Sequence, residues 1–438
     1  MMSPAMSYAD LTEDLHPDPY NAVFWNLFYQ GLATMLPWNV LLFANRYFEI
    51  RLSEVPAAEN FIYYFAVIFM VMKFIFFASG MSVSTGLNPR MQIRGSIGAN
   101  AAVFAMIGAL CGLEQASGST LYYSLLVLIM LAAFCGSFLE AGFLRVLTFF
   151  PQKYTQAYLM GTGFAGVFGS FLHIFTSIGV SSAVSRSFAF VYFGISTLVT
   201  LVSLLLFHFM GNEPAYIHYY KKGTSISSAR EESVKIAESS DQSGVTHSTT
   251  RKVFSQISDL FFTIILLTFF NMIISPLLIV STRSVMENCT DIKKDRDLFH
   301  GVAFAISSIF DVIGKAIPAL PFFAPRKIPF LALAAARILL IPIFLAGNVH
   351  LHDKKLPFSL YANDIAFMIL IGIKALSGSF LGTLCMMWAP QRVAPIDRSL
   401  AMKLLVYAVG SGLLMGSVAG LLVKNLILQA VSYYSNNK

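Results

Sequence analysis

The chain has 438 residues, 56% of them hydrophobic and only 12% charged, with 40 Phe and a formal net charge of +7. A soluble protein of this length carries about twice that charged fraction, so the composition excludes an ordinary soluble domain and describes a polytopic membrane protein. The surplus of Lys and Arg forms no basic block interleaved with aromatics, which sets nucleic acid aside and points to loops facing anionic lipid headgroups.

The chain opens with Asp10, Glu13, Asp14 and Asp18, the opposite of a basic signal-peptide leader, so no cleaved signal is expected. Apolar runs long enough to cross a hydrocarbon core follow near 22–43, 60–80, 95–113, 121–150, 156–180, 188–210, 256–281, 300–320, 328–347, 365–388 and 403–430, giving eleven expected spans. The fourth is long enough to tilt or to project beyond the membrane. Between the sixth and seventh, residues 212–252 turn polar and Ser-rich (Ser225, Ser227, Ser228, Ser239, Ser240, Asp241, Ser243) and are expected to form a flexible loop. The expectation is an all-α protein with a six-helix bundle over 1–211, a cytosolic loop over 212–252 and a five-helix bundle over 253–438.

Orientation follows from Lys and Arg in the loops. Lys221, Lys222, Arg230, Lys235, Arg251 and Lys252 place the central loop, and with it the amino terminus, in the cytosol. An odd number of spans then puts the carboxyl terminus outside, on the side of Asn288-Cys289-Thr290, an N-x-T glycosylation acceptor. Three of the four cysteines, Cys111, Cys135 and Cys385, fall in or beside apolar runs and act as small hydrophobes, so no disulfide framework is expected.

Chemistry has few places to reside. Ionisable residues at membrane depth are Lys73, Glu140, Arg145, Asp311, Lys315, Arg337, Lys374 and Lys424. Each costs about 2.5–3.5 kcal/mol near a helix centre, so such residues face a bundle interior or a watery cavity. Asp311 and Lys315 are four apart, which on a helix puts them on one face below Ser307 and Ser308. The pattern fits either an ion pair that locks helices together or a substrate site. Glu140 and Asp311, the two acids, sit in different halves, where a site between the halves would use both. Arg145 lies toward the end of its run, within snorkelling reach of the interface. Lys73, Lys374 and Lys424 have no evident role in the sequence.

Gly161-Thr162-Gly163-Phe164-Ala165-Gly166 has the form G-x-G-x-x-G, but it lies inside an apolar run with no strand before it, so it reads as small residues that let helices approach. Gly410, Gly412, Gly416 and Gly420 read the same way. His350-Leu351-His352 lacks the Cys or carboxylate neighbours of a metal site, and no metal or cofactor is expected. His173 and His208 read as packing or helix-end groups, with titration near neutral pH leaving a proton-linked role open. Hydrolase, metalloprotease and P-loop motifs are missing from the chain, which disfavours an enzyme.

Motifs in order along the chain resemble a known family. The first span holds Tyr20-Asn21-Ala22-Val23-Phe24 and Leu36-Pro37-Trp38-Asn39; Phe150-Pro151 precedes Tyr154 and Met160-Gly161-Thr162-Gly163; then come Asp311-x-x-Gly314-Lys315, Arg337 with Pro342, and Leu384-Cys385-Met386-Met387 through Pro390. The set resembles the equilibrative nucleoside transporter family. That resemblance implies a major-facilitator-type fold with six plus five helices, and nucleoside movement down a gradient by alternating access.

By position, the resemblance implies that Asp311 and Lys315 bind sugar hydroxyls, that Trp38 and Asn39 line the cavity, and that Glu140 stands where many members read the nucleobase with a glutamine. Lys315 replaces the family's arginine and loses the planar fork. Glu140 replaces an amide with an acceptor-only carboxylate, which admits organic cations or proton coupling as the alternative reading. Thr162 replaces a glutamine common between the two glycines. A receptor or scaffold that binds without translocating is a third reading, which two bundles around polar midplane residues suit poorly. The expectation is a monomeric carrier in the lipid of the plasma membrane rather than an endolysosomal one.

Overall fold

The computed structural model describes residues 16–44, 47–48, 51–52, 55, 61–83, 88–112, 118–179, 186–225, 243–279, 282–285, 292–320, 329–351, 354–355 and 363–436. The expected acceptor Asn288, with Cys289, and most of the Ser-rich stretch lie outside them. Long helices account for nearly all of the fold: α1 (Ala22–Phe43), α2 (Phe61–Val83), α3 (Pro89–Gly112), α4 (Gly118–Leu147), α5 (Gln152–Gly179), α6 (Arg186–Met210), α7 (Ser243–Met272), α8 (Ile292–Ala316), α9 (Phe330–Leu345), α10 (Asp364–Trp388) and α11 (Arg398–Asn436). Eight of these, α3 to α8 with α10 and α11, are long and apolar enough to cross a membrane, α9 is a shorter apolar helix, and the set is compatible with eleven spans. A two-residue ladder pairs His350–Leu351 with Lys354–Lys355.

The helices sort into two bundles. In the first, α1 packs on α5 and α6, α3 on α4 and α6, and α2 on α4; in the second, α7 packs on α11, α9 and α10, and α8 on α10. The bundles meet where α5 lies against α8 and α2 against α11. At the end bearing the Phe150–Pro151 turn they share one apolar core, which runs from Val23, Leu144, Phe150 and Tyr154 to Ile257, Phe330, Leu384 and Leu405. At the other end the apolar clusters are largely separate, one built on α1 to α6 and one on α7 to α10.

Two helices are broken for local reasons. In α9 a 3-10 turn at Arg337–Leu339 precedes Pro342, which lacks the N–H that an α-helix would bond to the Ile338 carbonyl. At the end of α7, the stretch Ile273–Leu278 departs from α geometry at Ser275 (φ −124°, ψ 120°), the residue before Pro276, where proline disfavours the helical region.

The stretch expected to be a flexible linker differs at both of its described ends. Residues 214–225 form a helix whose Ala215, Tyr216 and Tyr219 are buried in the shared core, and α7 begins at Ser243. Arg90 stands over the Tyr220 ring at 4.3 Å and the Tyr216 ring at 5.3 Å, so an amphipathic tyrosine face, not mean hydropathy, holds this helix to the bundle.

Polar residues of α1 are satisfied by α6. Gln30, fully buried, donates to the Ser203 carbonyl at 3.0 Å and accepts from Ser203 Oγ at 2.6 Å, while Asn26 Nδ2 donates to the Leu206 carbonyl at 2.6 Å. On its other side α1 meets α5 backbone to backbone. A Cβ at Gly161 would lie 2.7 Å from the Phe28 carbonyl carbon, and one at Gly31 would lie 2.9 Å from that of Tyr158. The G-x-G-x-x-G stretch therefore serves helix approach, as its context indicates, and Gly412 and Gly416 serve it between α11 and α7. Gly161→Leu is expected to destabilise the fold by about 1–3 kcal/mol through overpacking. Gly194→Ala, where a Cβ meets nothing within 4 Å, should not. Melting temperatures of the two detergent-solubilised variants check this, and equal temperatures would refute it.

Candidate functional site

Between the bundles, on the far side of the shared core from the Phe150–Pro151 turn, lies a cavity of about 340 Å³. That size suits a small organic molecule. One wall comes from α1, where Pro37 packs against Gly136 of α4 and Trp38 and Asn39 follow it into the cavity. The Trp38 ring stacks on Phe65 at 5.2 Å and takes the Phe69 ring edge-on at 5.2 Å, so the first bundle offers an aromatic shelf. Asn39 Nδ2 donates to the Met35 carbonyl at 2.9 Å, which spends one of its two amide N–H donors inside α1.

The facing wall is α8. Ser307, Ser308, Asp311 and Lys315 all line the cavity, as their spacing requires. Lys315 Nζ lies 2.7 Å from Asp311 Oδ2 and donates to Thr162 Oγ1 at 3.1 Å. Asp311 is the more open of the pair, its side chain 32% exposed against 16%, so a carboxylate oxygen remains available to a ligand. The glycine between them serves packing instead, since a Cβ on Gly314 would lie 2.6 Å from the Leu376 carbonyl oxygen where α8 crosses α10. On the other side, Cβ atoms on Gly163 and Gly166 would meet Asp311 Oδ2 at 2.6 Å and Ser308 Oγ at 2.5 Å. These α5 glycines admit the polar stripe of α8.

Glu140 is the site residue that the structure does not bring to the cavity. It is paired with Lys73 of α2 at 2.8 Å, both side chains are about a tenth exposed, and Lys73 is the member of the pair that lines the cavity. A carboxylate at bilayer depth takes the nearest cation, and that cation comes from another helix, which the sequence of α4 cannot reveal.

Cavity residues that carried no assigned role in the sequence include Asn271, Arg337 and Lys374. The signal for the latter two was their charge at membrane depth. Arg337 Nη2 donates to the Lys374 carbonyl at 3.0 Å and Nη1 to Ser377 Oγ. Gly378 makes room for this, since a Cβ there would stand 2.8 Å from the guanidinium. His173 is buried beside Phe43 and His208 lies at the end of α6, both away from the Asp311–Lys315 pair. Arg145 is half-buried in the last turn of α4.

A family model described as Nucleoside transporter matches residues 126–425. The chain is similar to Equilibrative nucleoside transporter 1 of Rattus norvegicus, at 23% identity over 94% of this chain and 98% of the relative, and to Equilibrative nucleoside transporter 2 of Homo sapiens, at 23% over 94% and 99%. Among solved structures, a proton:xylose symporter of the major facilitator superfamily aligns with a TM-score of 0.58 over 94% of this chain and 96% of its own, at 12% identity, which shows a shared fold alone. With well over half of its length matched by the family model, the chain belongs to the nucleoside transporter family, a family of multi-pass membrane carriers and not of enzymes.

Proposed function

We propose that the chain is a facilitative carrier of nucleosides that works by alternating access, with Asp311 and Lys315 holding the sugar hydroxyls. The observation that carries this reading is the intrahelical pair of Asp311 and Lys315 facing a cavity between two bundles. A carboxylate accepts hydrogen bonds from hydroxyls and an ammonium supplies donors. Trp38 and Phe69 line the cavity, with Phe65 stacked behind Trp38, and give this wall an aromatic surface suited to a nucleobase. The bundles share a core at one end and are nearly separate at the other, which is the asymmetry expected of one state in a rocking cycle.

In this reading residues 1–211 and 253–438 are the two moving units, the end bearing Phe150–Pro151 faces the cytosol, and the carrier works as a monomer in the plasma membrane. Labelled uridine and adenosine uptake into cells expressing the chain is expected to be saturable; no uptake above background for either nucleoside overturns the proposal. Asp311→Asn is expected to lower uptake efficiency roughly tenfold or more, the worth of a charge-assisted hydrogen bond, at unchanged surface abundance.

The organic-cation reading rested on Glu140 as a free carboxylate, and its pairing with Lys73 removes that motive. If the pair is structural, Lys73→Met or Glu140→Gln alone strands a buried charge and costs about 3–5 kcal/mol, while the double variant recovers most of it. Thermal melts of the three purified variants check this; additive losses in the double variant would mean that the two side chains act independently.

A further inference from the structure

The charges lining the cavity do not balance. Among the described residues, its lining cations are Lys73, Lys315, Arg337 and Lys374, and its lining acid is Asp311. Glu140 neutralises Lys73 from behind, and Asp311 neutralises Lys315. Arg337 and Lys374 then have no carboxylate within salt-bridge distance among the described residues. Both are buried, at 6% and 4% exposure. Lys374 sits near the middle of α10, too far from either end of the helix to snorkel to an interface. The Arg337 guanidinium spends its two terminal nitrogens on Ser377 Oγ and the Lys374 carbonyl, leaving Nε without a partner.

Two cations held together at membrane depth repel each other and lose hydration, so a nearby anion favours the charged form of the lysine over loss of its proton. Asp311, the acid that lines the same cavity among the described residues, is already bound to Lys315. Both residues of the cationic pair, Arg337 and Lys374, line the cavity, so a compensating anion can approach them from there. Lys73 has its own acid, so the surplus is confined to the wall made by α9 and α10, beside the Asp311–Lys315 pair.

We propose that Arg337 and Lys374 form an anion subsite adjoining the sugar-binding pair, so that the carrier takes nucleosides bearing a carboxylate or phosphate on the sugar as well as, or in preference to, neutral ones. This rests on the nucleoside reading above. The sugar end of the ligand meets Asp311 and Lys315, and a substituent at its exocyclic carbon extends to the cationic wall. Arg337 and Lys374 both bring positive charge to this wall of the cavity, which suits a carboxylate or a phosphate. Entry of the anion offsets the repulsion between the two cations, so the gain comes with binding and is not available to a neutral ligand.

The test uses the full chain in proteoliposomes, with uptake of labelled uridine, uridine 5′-monophosphate and the 5′-carboxylic acid of uridine measured side by side. Saturable uptake of either anionic compound, or competition with uridine at least as strong as that by unlabelled uridine, is the expected result, and the better of the two identifies phosphate or carboxylate as the preferred group. Lys374→Met is expected to lower the ratio of anionic to neutral apparent affinity at least tenfold, and Lys374→Arg to keep it. Uridine uptake with neither anionic compound entering nor competing overturns the subsite and leaves the nucleoside reading standing. Absence of uptake for all three overturns both. A ratio unmoved by Lys374→Met, in protein that elutes as a single monodisperse peak, also overturns the subsite. The wild-type arms do not depend on any variant folding.

Discussion

A charge at bilayer depth has to be paired, hydrated or given up, and this constraint organises the interior of the protein. It is met in three different ways. Lys73 and Glu140 pair between α2 and α4 within one bundle, so that bond belongs to the bundle's own architecture. Asp311 and Lys315 pair within a single helix and face the cavity, so a ligand can share or replace their bond without moving one helix from another. The Arg337 guanidinium is held by the Ser377 hydroxyl and the Lys374 carbonyl, and among the described residues no acid pairs with Arg337 or Lys374. The same residue types therefore differ in whether the partner lies on another helix of the bundle, on the same helix facing the cavity, or on neutral oxygens.

Helix α5 links these sites. Two residues apart on a helix are about 200° apart around its axis, so Gly161 and Gly163 face opposite ways. Gly161 presses its backbone on α1, while Gly163 and Gly166 open the other face to the Asp311 and Ser308 side chains of α8. The first contact is backbone on backbone and leaves little freedom to slide. The second is a set of polar side chains against small residues, which can rotate without a clash. One glycine-rich stretch thus ties α5 rigidly into its own bundle and loosely to the other.

Helix positions were legible in the sequence because hydropathy measures the stretch that meets hydrocarbon. Helix length was not, because polar residues continue a helix past the membrane: α3 starts at Pro89 instead of near 95, and α7 at Ser243 instead of near 256. The helix over 214–225 was missed for a related reason, since Tyr216, Tyr219 and Tyr220 form an apolar face at helical spacing inside a polar stretch. At the site, Asp311, Lys315, Trp38 and Asn39 reach the cavity as expected, because their faces follow from spacing within one helix or from a motif. Glu140 does not, because its direction was settled by Lys73, far away in sequence. Lys374 was visible as a charge in an apolar run, but its lack of an acidic partner is a property of all its neighbours at once.

The seal at the closed end is built so that it can be undone. Gln152 Nε2 donates to the Met387 carbonyl and Gln156 Nε2 to the carbonyls of Lys315 and Ala316, all at 3.0 Å, reaching from the start of α5 to the last turns of α10 and α8. Carbonyls in a helix's last turn have no partner within their own helix, so water can take over from the glutamines when the bundles part, and these bonds add little to the barrier. The apolar core shared at that end is the larger cost, since it has to be wetted, and it is offset only if apolar surface is buried at the opposite end. Phe43 and Phe304 are in edge contact at 5.1 Å across the bundles at that opposite end. Lys315 belongs to both regions: its ammonium holds Asp311 and Thr162 in the cavity while its carbonyl accepts from Gln156 in the seal. A ligand that displaces the Lys315 side chain therefore acts on the same residue that ties α8 to α5, which is the shortest physical connection between occupancy of the cavity and opening of the closed end.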